Sequence, residues 1–158
     1  MSIDLKGQST GDFFMKPGRK VLGVNLNGGW GDERPVGKIF SRFGFFPAFK
    51  LQIGPEILFG DNGMEEYEFQ GGIFIRYFFL PSKLSPYIEA SYKAGFLSTN
   101  FARSERVNLF TDRVELTPGV NWVLYPNRIS LDLLGTFLFV HQTKDLLFRP
   151  RVGVYYYL

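Results

Sequence analysis

Eight stretches of the chain alternate residue by residue, and one face of that alternation carries no charge. The set reads Leu22, Val24, Leu26; Ile39, Ser41, Phe43, Phe45; Leu51, Ile53, Pro55, Ile57, Phe59; and Phe69, Gly71, Ile73, Ile75, Tyr77, Phe79. It continues with Ile88, Ala90, Tyr92, Ala94, Phe96; Val114, Leu116, Pro118, Val120, Trp122, Leu124; Ile129, Leu131, Leu133, Gly135, Phe137, Phe139; and Phe148, Pro150, Val152, Val154, Tyr156, Leu158. None is Asp, Glu, Lys or Arg, although 21% of the chain is charged. A period of two puts successive side chains on opposite faces of a strand. An uncharged face on every strand points to contact with lipid.

The alternate positions are polar, charged or glycine. They include Asn25, Arg42, Gln52, Glu56, Gln70, Arg76, Glu89, Ser91, Lys93, Arg113, Glu115, Asn121, Asp132, Arg149 and Arg151. A soluble lipocalin-like barrel would turn the apolar face inward, and a membrane barrel does the reverse. Glycine separates the two readings. Gly23, Gly44, Gly54, Gly72, Gly95, Gly119 and Gly153 fall on the polar face, one on every stretch but the seventh. A solvated surface has no use for glycine, which weakens strands, whereas a narrow eight-stranded lumen has room for only some large side chains. The polar face is therefore read as the inside.

The predicted strands are 19–27, 38–46, 50–59, 69–80, 86–97, 108–125, 129–140 and 147–158. Short proline-bearing connectors (47–49, 81–85, 126–128) alternate with longer polar ones (28–37, 60–68, 98–107, 141–146). In bacterial barrels the short turns are periplasmic, so both termini are expected on that side. Phe45, Phe46, Phe49, Phe79, Tyr87, Trp122, Tyr125 and Tyr156 crowd the short-turn end and read as an interfacial aromatic girdle. Pro55, Pro118 and Pro150 sit within strands, where each removes a ladder hydrogen bond.

Composition narrows the picture further. The 158 residues are used up by eight strands, giving a lead-in over residues 1–18 and a barrel over 19–158. Aromatics reach 18%, and there is no run of 18 apolar residues, which a barrel does not need. Cysteine is absent, excluding disulfides and thiolate metal sites. The net charge of +3 is modest, and no basic run points to nucleic acid. Residues 1–7, MSIDLKG, lack the basic start and apolar region of a secretory signal, so the chain is read as a mature form.

The last residues resemble the C-terminal β-signal of outer-membrane proteins, carried by Arg151, Gly153, Tyr156 and Leu158, with Leu in place of the usual terminal aromatic. That resemblance implies recognition by the barrel-assembly machinery. The segments GIFIRYFFLPSKLSPYIEASYKAGF (72–96) and VELTPGVNWVLYPNRISLDLLG (114–135) resemble the small outer-membrane β-barrels of Gram-negative bacteria, of OmpX/OmpW-like type. This implies an all-β, eight-stranded, antiparallel up-and-down transmembrane barrel, and says little of function.

The inward charges Arg42, Glu56, Arg76, Glu89, Lys93, Arg113, Glu115, Asp132, Arg149 and Arg151 are expected to pair as a plug filling the lumen, the alternative being a narrow path for small solutes. Arg103 and Arg106 in the loop at 100–107 are candidates for contact with lipopolysaccharide phosphates. The acidic segment 61–68 offers oxygen ligands for a loosely held divalent ion, with a solvated loop as the plainer reading. An eight-stranded lipid A-modifying enzyme would need a histidine beside a nucleophile or acid–base partner. The single histidine, His141, has Thr143 and Asp145 near it but no such motif. No catalytic set, metal site or cofactor motif emerges. The expected role is non-enzymatic: a structural, anchoring or accessory subunit, with other outer-membrane proteins as possible neighbours. A channel for small or apolar solutes is the alternative.

Overall fold

In the computed structural model the described residues are 15–30, 35–61, 67–101, 105–125, 128–141 and 146–158. They form eight strands: β1 (Lys20–Trp30), β2 (Pro35–Ala48), β3 (Leu51–Asp61), β4 (Tyr67–Phe78), β5 (Leu84–Phe101), β6 (Glu105–Tyr125), β7 (Ile129–Val140) and β8 (Leu146–Tyr157). Each pairs antiparallel with the next, and β8 pairs with β1, so the sheet closes into an up-and-down barrel. Closure gives every strand a partner on both sides, a condition for a sheet to cross a bilayer.

Every position of the uncharged set faces out and none is buried. Ile73, 67% exposed, and Phe148, 60% exposed, are the most exposed large hydrophobic residues of this set. The alternate positions face in. Two of the inward glycines show why glycine is used. A Cβ on Gly23 would run into the ring of Tyr155, and one on Gly119 would meet Tyr87. Small residues on one strand thus make room for aromatic rings standing on others.

The long polar connectors are predicted longer than the real ones. The β1–β2 ladder continues to Trp30↔Pro35, and β5–β6 to Phe101↔Glu105, so most of 28–37 and 98–107 is strand. The polar composition there misled the reading, because beyond the apolar belt a ladder needs no outward apolar residue. At the other end β2 continues through Pro47 to Ala48. Phe49 and Lys50 make the turn, with Lys50 in the left-handed region at φ 65° and its Nζ donating to the Phe79 carbonyl (3.1 Å).

The strand prolines have a common solution. Pro55 is paired with Ile73 on the β4 side, while the β2–β3 ladder skips from Arg42↔Glu56 to Phe45↔Ile53. Pro118 is paired with Ile88 on the β5 side, while the β6–β7 ladder skips from Leu116↔Phe137 to Gly119↔Leu134. Pro150 is paired with Gly135 on β7 and lies beyond the β1–β8 ladder, which spans only Val21–Leu26 against Val152–Tyr157. Each proline thus faces a place where the ladder is interrupted or has ended, as its missing N–H requires.

Candidate functional site: the charged lumen

Inward parity brings side chains from all eight strands into one narrow space. Lys93 of β5 lies between Glu56 of β3 (2.7 Å) and Glu115 of β6 (2.6 Å), and also donates to Ser91 (2.8 Å). Glu115 receives Arg151 of β8 (2.6 Å) and Arg113 (2.8 Å) as well. Arg42 of β2 reaches Glu56 (2.7 Å) and Glu89 of β5 (2.7 Å). Arg76 of β4 binds Glu89 (2.8 Å) and Asp132 of β7 (2.8 Å), and donates to the Tyr155 hydroxyl of β8 (2.9 Å). Asp132 also accepts from Tyr87 (2.9 Å) and from Asn121. Ion pairs with water excluded are worth keeping only when the remaining lone pairs and protons are also satisfied, and around Glu89 and Asp132 they are.

Aromatic shelves support the cations. The Arg76 guanidinium lies 4.0 Å from the Tyr87 ring centroid, that of Arg151 4.1 Å from Phe40, and that of Arg42 4.9 Å from Phe74. Guanidinium on a ring face adds attraction where water is excluded.

Below this layer, toward the short turns, the lumen is closed by apolar and aromatic side chains: Met15, Val21, Phe46, Phe78, Tyr87, Val123, Leu134, Tyr155 and Tyr157. Two members of the expected girdle belong here instead. Phe46 and Tyr87 point inward and are buried, while Phe45, Phe49, Phe79, Trp122 and Tyr156 face out. Crowding of rings at one end of the chain's strands does not distinguish belt from plug; parity does. Met15 comes from the lead-in and is a fully buried part of this floor. The chain turns back at Gly18, φ 83°, a left-handed conformation suited to glycine, with Gly18 N–H donating to the Phe46 carbonyl (2.8 Å).

Of the ten expected lumen charges, nine are buried and joined in this network, and Arg149 is half-buried at the long-hairpin end. Two further members were not anticipated. Glu68, placed in an acidic loop by its neighbours, begins β4 and is 4% exposed. It holds Lys38 of β2 on one oxygen and Arg113 on the other (2.6 Å). Lys38 has the inward parity of Phe40 and Arg42, which was the available signal. Glu68 is thus engaged in ion pairs rather than offered to a cation, and residues 62–66 of that segment lie outside the described residues.

Of the assembly-signal residues, Arg151 and Gly153 face the lumen and Tyr156 and Leu158 the outside. His141 is exposed, while Thr143 and Asp145 lie outside the described residues, as does Arg103; Arg106 falls in β6, with its side chain outside them. Among the described residues no cluster of three metal-ligating side chains occurs. A hollow of about 600 Å³ lies on the outer wall, not in the lumen, among Phe45, Ile75, Tyr92 and Val114.

No protein-family model matches the chain, and no curated protein matches its sequence. Solved structures do match in fold. The N-terminal β-barrel domain of Pseudomonas aeruginosa OprF superposes with a TM-score of 0.65 at 9% identity, over 89% of this chain and 96% of that one. Neisserial surface protein A (NspA) superposes at 0.62 and 12% identity, over 87% and 94%. A designed transmembrane β-barrel gives 0.56 at 14% identity, over 90% and 98%. At these identities the likeness establishes the transmembrane barrel fold. The finer OmpX/OmpW-like resemblance of segments 72–96 and 114–135 is not confirmed by them.

Proposed function

We propose that the chain is an integral outer-membrane protein with a closed lumen and a non-enzymatic role: a structural, anchoring or accessory subunit, within a larger envelope assembly. The observation that carries this reading is the lumen itself. A cross-linked ionic layer stands on an apolar floor, so the barrel presents its outer wall and its ends, and no through-path. The neighbours OprF and NspA support the membrane setting through their folds. On this reading the short turns and both termini are periplasmic, Arg103 and Arg106 face lipopolysaccharide phosphates, and Arg151, Gly153, Tyr156 and Leu158 form the element read by the assembly machinery.

The test is extraction from native outer membranes in mild detergent, followed by measurement of the mass and composition of the extracted species. A stoichiometric complex is the expected result. A lone 18.1 kDa barrel that gives conductance steps in planar bilayers would overturn the reading in favour of a narrow channel. Unchanged lipid A in cells carrying His141→Ala is the expected result for a non-enzyme.

A further inference from the structure

The long-hairpin mouth of the lumen differs from the layer beneath it. There Lys38, Glu68, Gln70, Thr111, Arg113 and Arg149 line a hollow of about 110 Å³. Both oxygens of Glu68 are occupied, one by Lys38 and one by Arg113. Arg149 lines the same hollow, half-buried, and among the described residues no carboxylate is in ion-pair contact with it. Asp112 also borders the hollow, and its Oδ2 accepts from the outward-facing Tyr92 hydroxyl (3.3 Å). Lys38, Arg113 and Arg149 therefore face Glu68, which is saturated, and Glu115 of the layer beneath, which already holds Arg113 (2.8 Å), Lys93 and Arg151. Thr111 Oγ1 accepts from Gln70 Nε2 (2.8 Å), so its own proton is available to donate into the hollow. A guanidinium withdrawn from water needs a counter-charge or bears a desolvation cost. Its planar fork matches an oxyanion that presents two oxygens.

We infer that this mouth is a binding site for one small oxyanion of the phosphate class, with Arg149 as the bidentate anchor, Thr111 as a neutral donor, and Lys38 and Arg113 supplying the positive field. The volume fits a phosphate group with a few waters. Phosphate carries between one and two negative charges near neutral pH, which balances the excess. The group has two possible sources, free phosphate or the phosphate of a lipid headgroup reaching over the rim. The site stands on the lumen geometry alone and does not depend on which compartment the mouth faces.

The test is titration of the folded, isotope-labelled full chain in phosphatidylcholine nanodiscs with inorganic phosphate, followed by amide shifts and calorimetry. The expected result is saturable binding, with dissociation constants in the range of about 1 mM or below, weakened about tenfold or more by Arg149→Gln. Arg149→Lys, which keeps charge but loses the fork, is expected to fall between the two, and it replaces the first variant should that not fold. Heat-dependent gel mobility reports folding of each. Nanodiscs containing lipopolysaccharide separate the sources. Loss of the free-phosphate response in them, together with lipopolysaccharide retention that falls in Arg149→Gln, identifies a headgroup phosphate; an unchanged response identifies free phosphate. No saturable binding, or binding that Arg149→Gln leaves unaltered, overturns the proposal.

Discussion

Arg76 is the most connected side chain of the lumen, fully buried and in contact with Glu89, Asp132, Tyr87 and Tyr155 from three other strands. Removing one member of a buried ion network leaves its partners desolvated and uncompensated, at a cost of about 3–5 kcal/mol. Arg76→Met is therefore expected to lower the unfolding free energy in lipid vesicles by that amount. Adding Asp132→Asn should recover about 1 kcal/mol or more of it in a double-variant cycle read by urea titration. Gly23 makes a complementary case. A side chain there strikes the Tyr155 ring, and that ring is held by hydroxyl bonds from Arg42 and Arg76. Gly23→Val should cost about 1–3 kcal/mol as an overpacked position, visible as a lower midpoint in the same titration. At this scale the sequence was legible wherever parity was applied. It located nine of the buried charges and missed Glu68, which fell in the polar connector 60–68, and Lys38, which stood at the first position of the predicted strand 38–46 and was not counted among the inward charges. It also missed the floor, because an aromatic residue is equally at home in lipid and in a packed lumen.

Among the elements, the weakest seam is β1–β8. Its ladder covers Val21–Leu26 only, whereas β1 is paired with β2 along its whole length, from Lys20 to Trp30. Pro150 explains where it stops. The pairing partners Val24 and Val154 both face out, and opposed Cα atoms in an antiparallel ladder fall within disulfide reach. Because the chain has no cysteine, Val24→Cys with Val154→Cys should form one unambiguous bridge across the closure. The expected outcome is a barrel that keeps its folded gel mobility at a temperature where the reduced form unfolds. No difference between oxidised and reduced samples would mean that the seam does not limit stability. The strand count, order and closure followed from alternation and connector lengths. The strand ends did not, since hydrogen bonding continues past the apolar belt into sequence that looks like loop.

For the molecule as a whole, the filled lumen predicts the absence of conductance steps, and Arg76→Met is expected to leave that absence unchanged. The floor that Phe46, Phe78 and Met15 help to form carries no charged side chain; steps appearing in this variant would show that the ions alone close the barrel. The ion pairs also connect strands that are not neighbours: β2 with β5, β3 with β5, β4 with β7, β6 with β8. A half-built sheet lying in the bilayer would therefore hold Arg42 and Arg76 with only part of their carboxylate partners, and Arg151 without Glu115, in a solvent that supplies no others. Insertion strand by strand is thereby penalised at every step before the last. The same contacts that plug the finished barrel make its assembly an all-or-none event, in which the lumen is neutralised at the moment the wall is sealed.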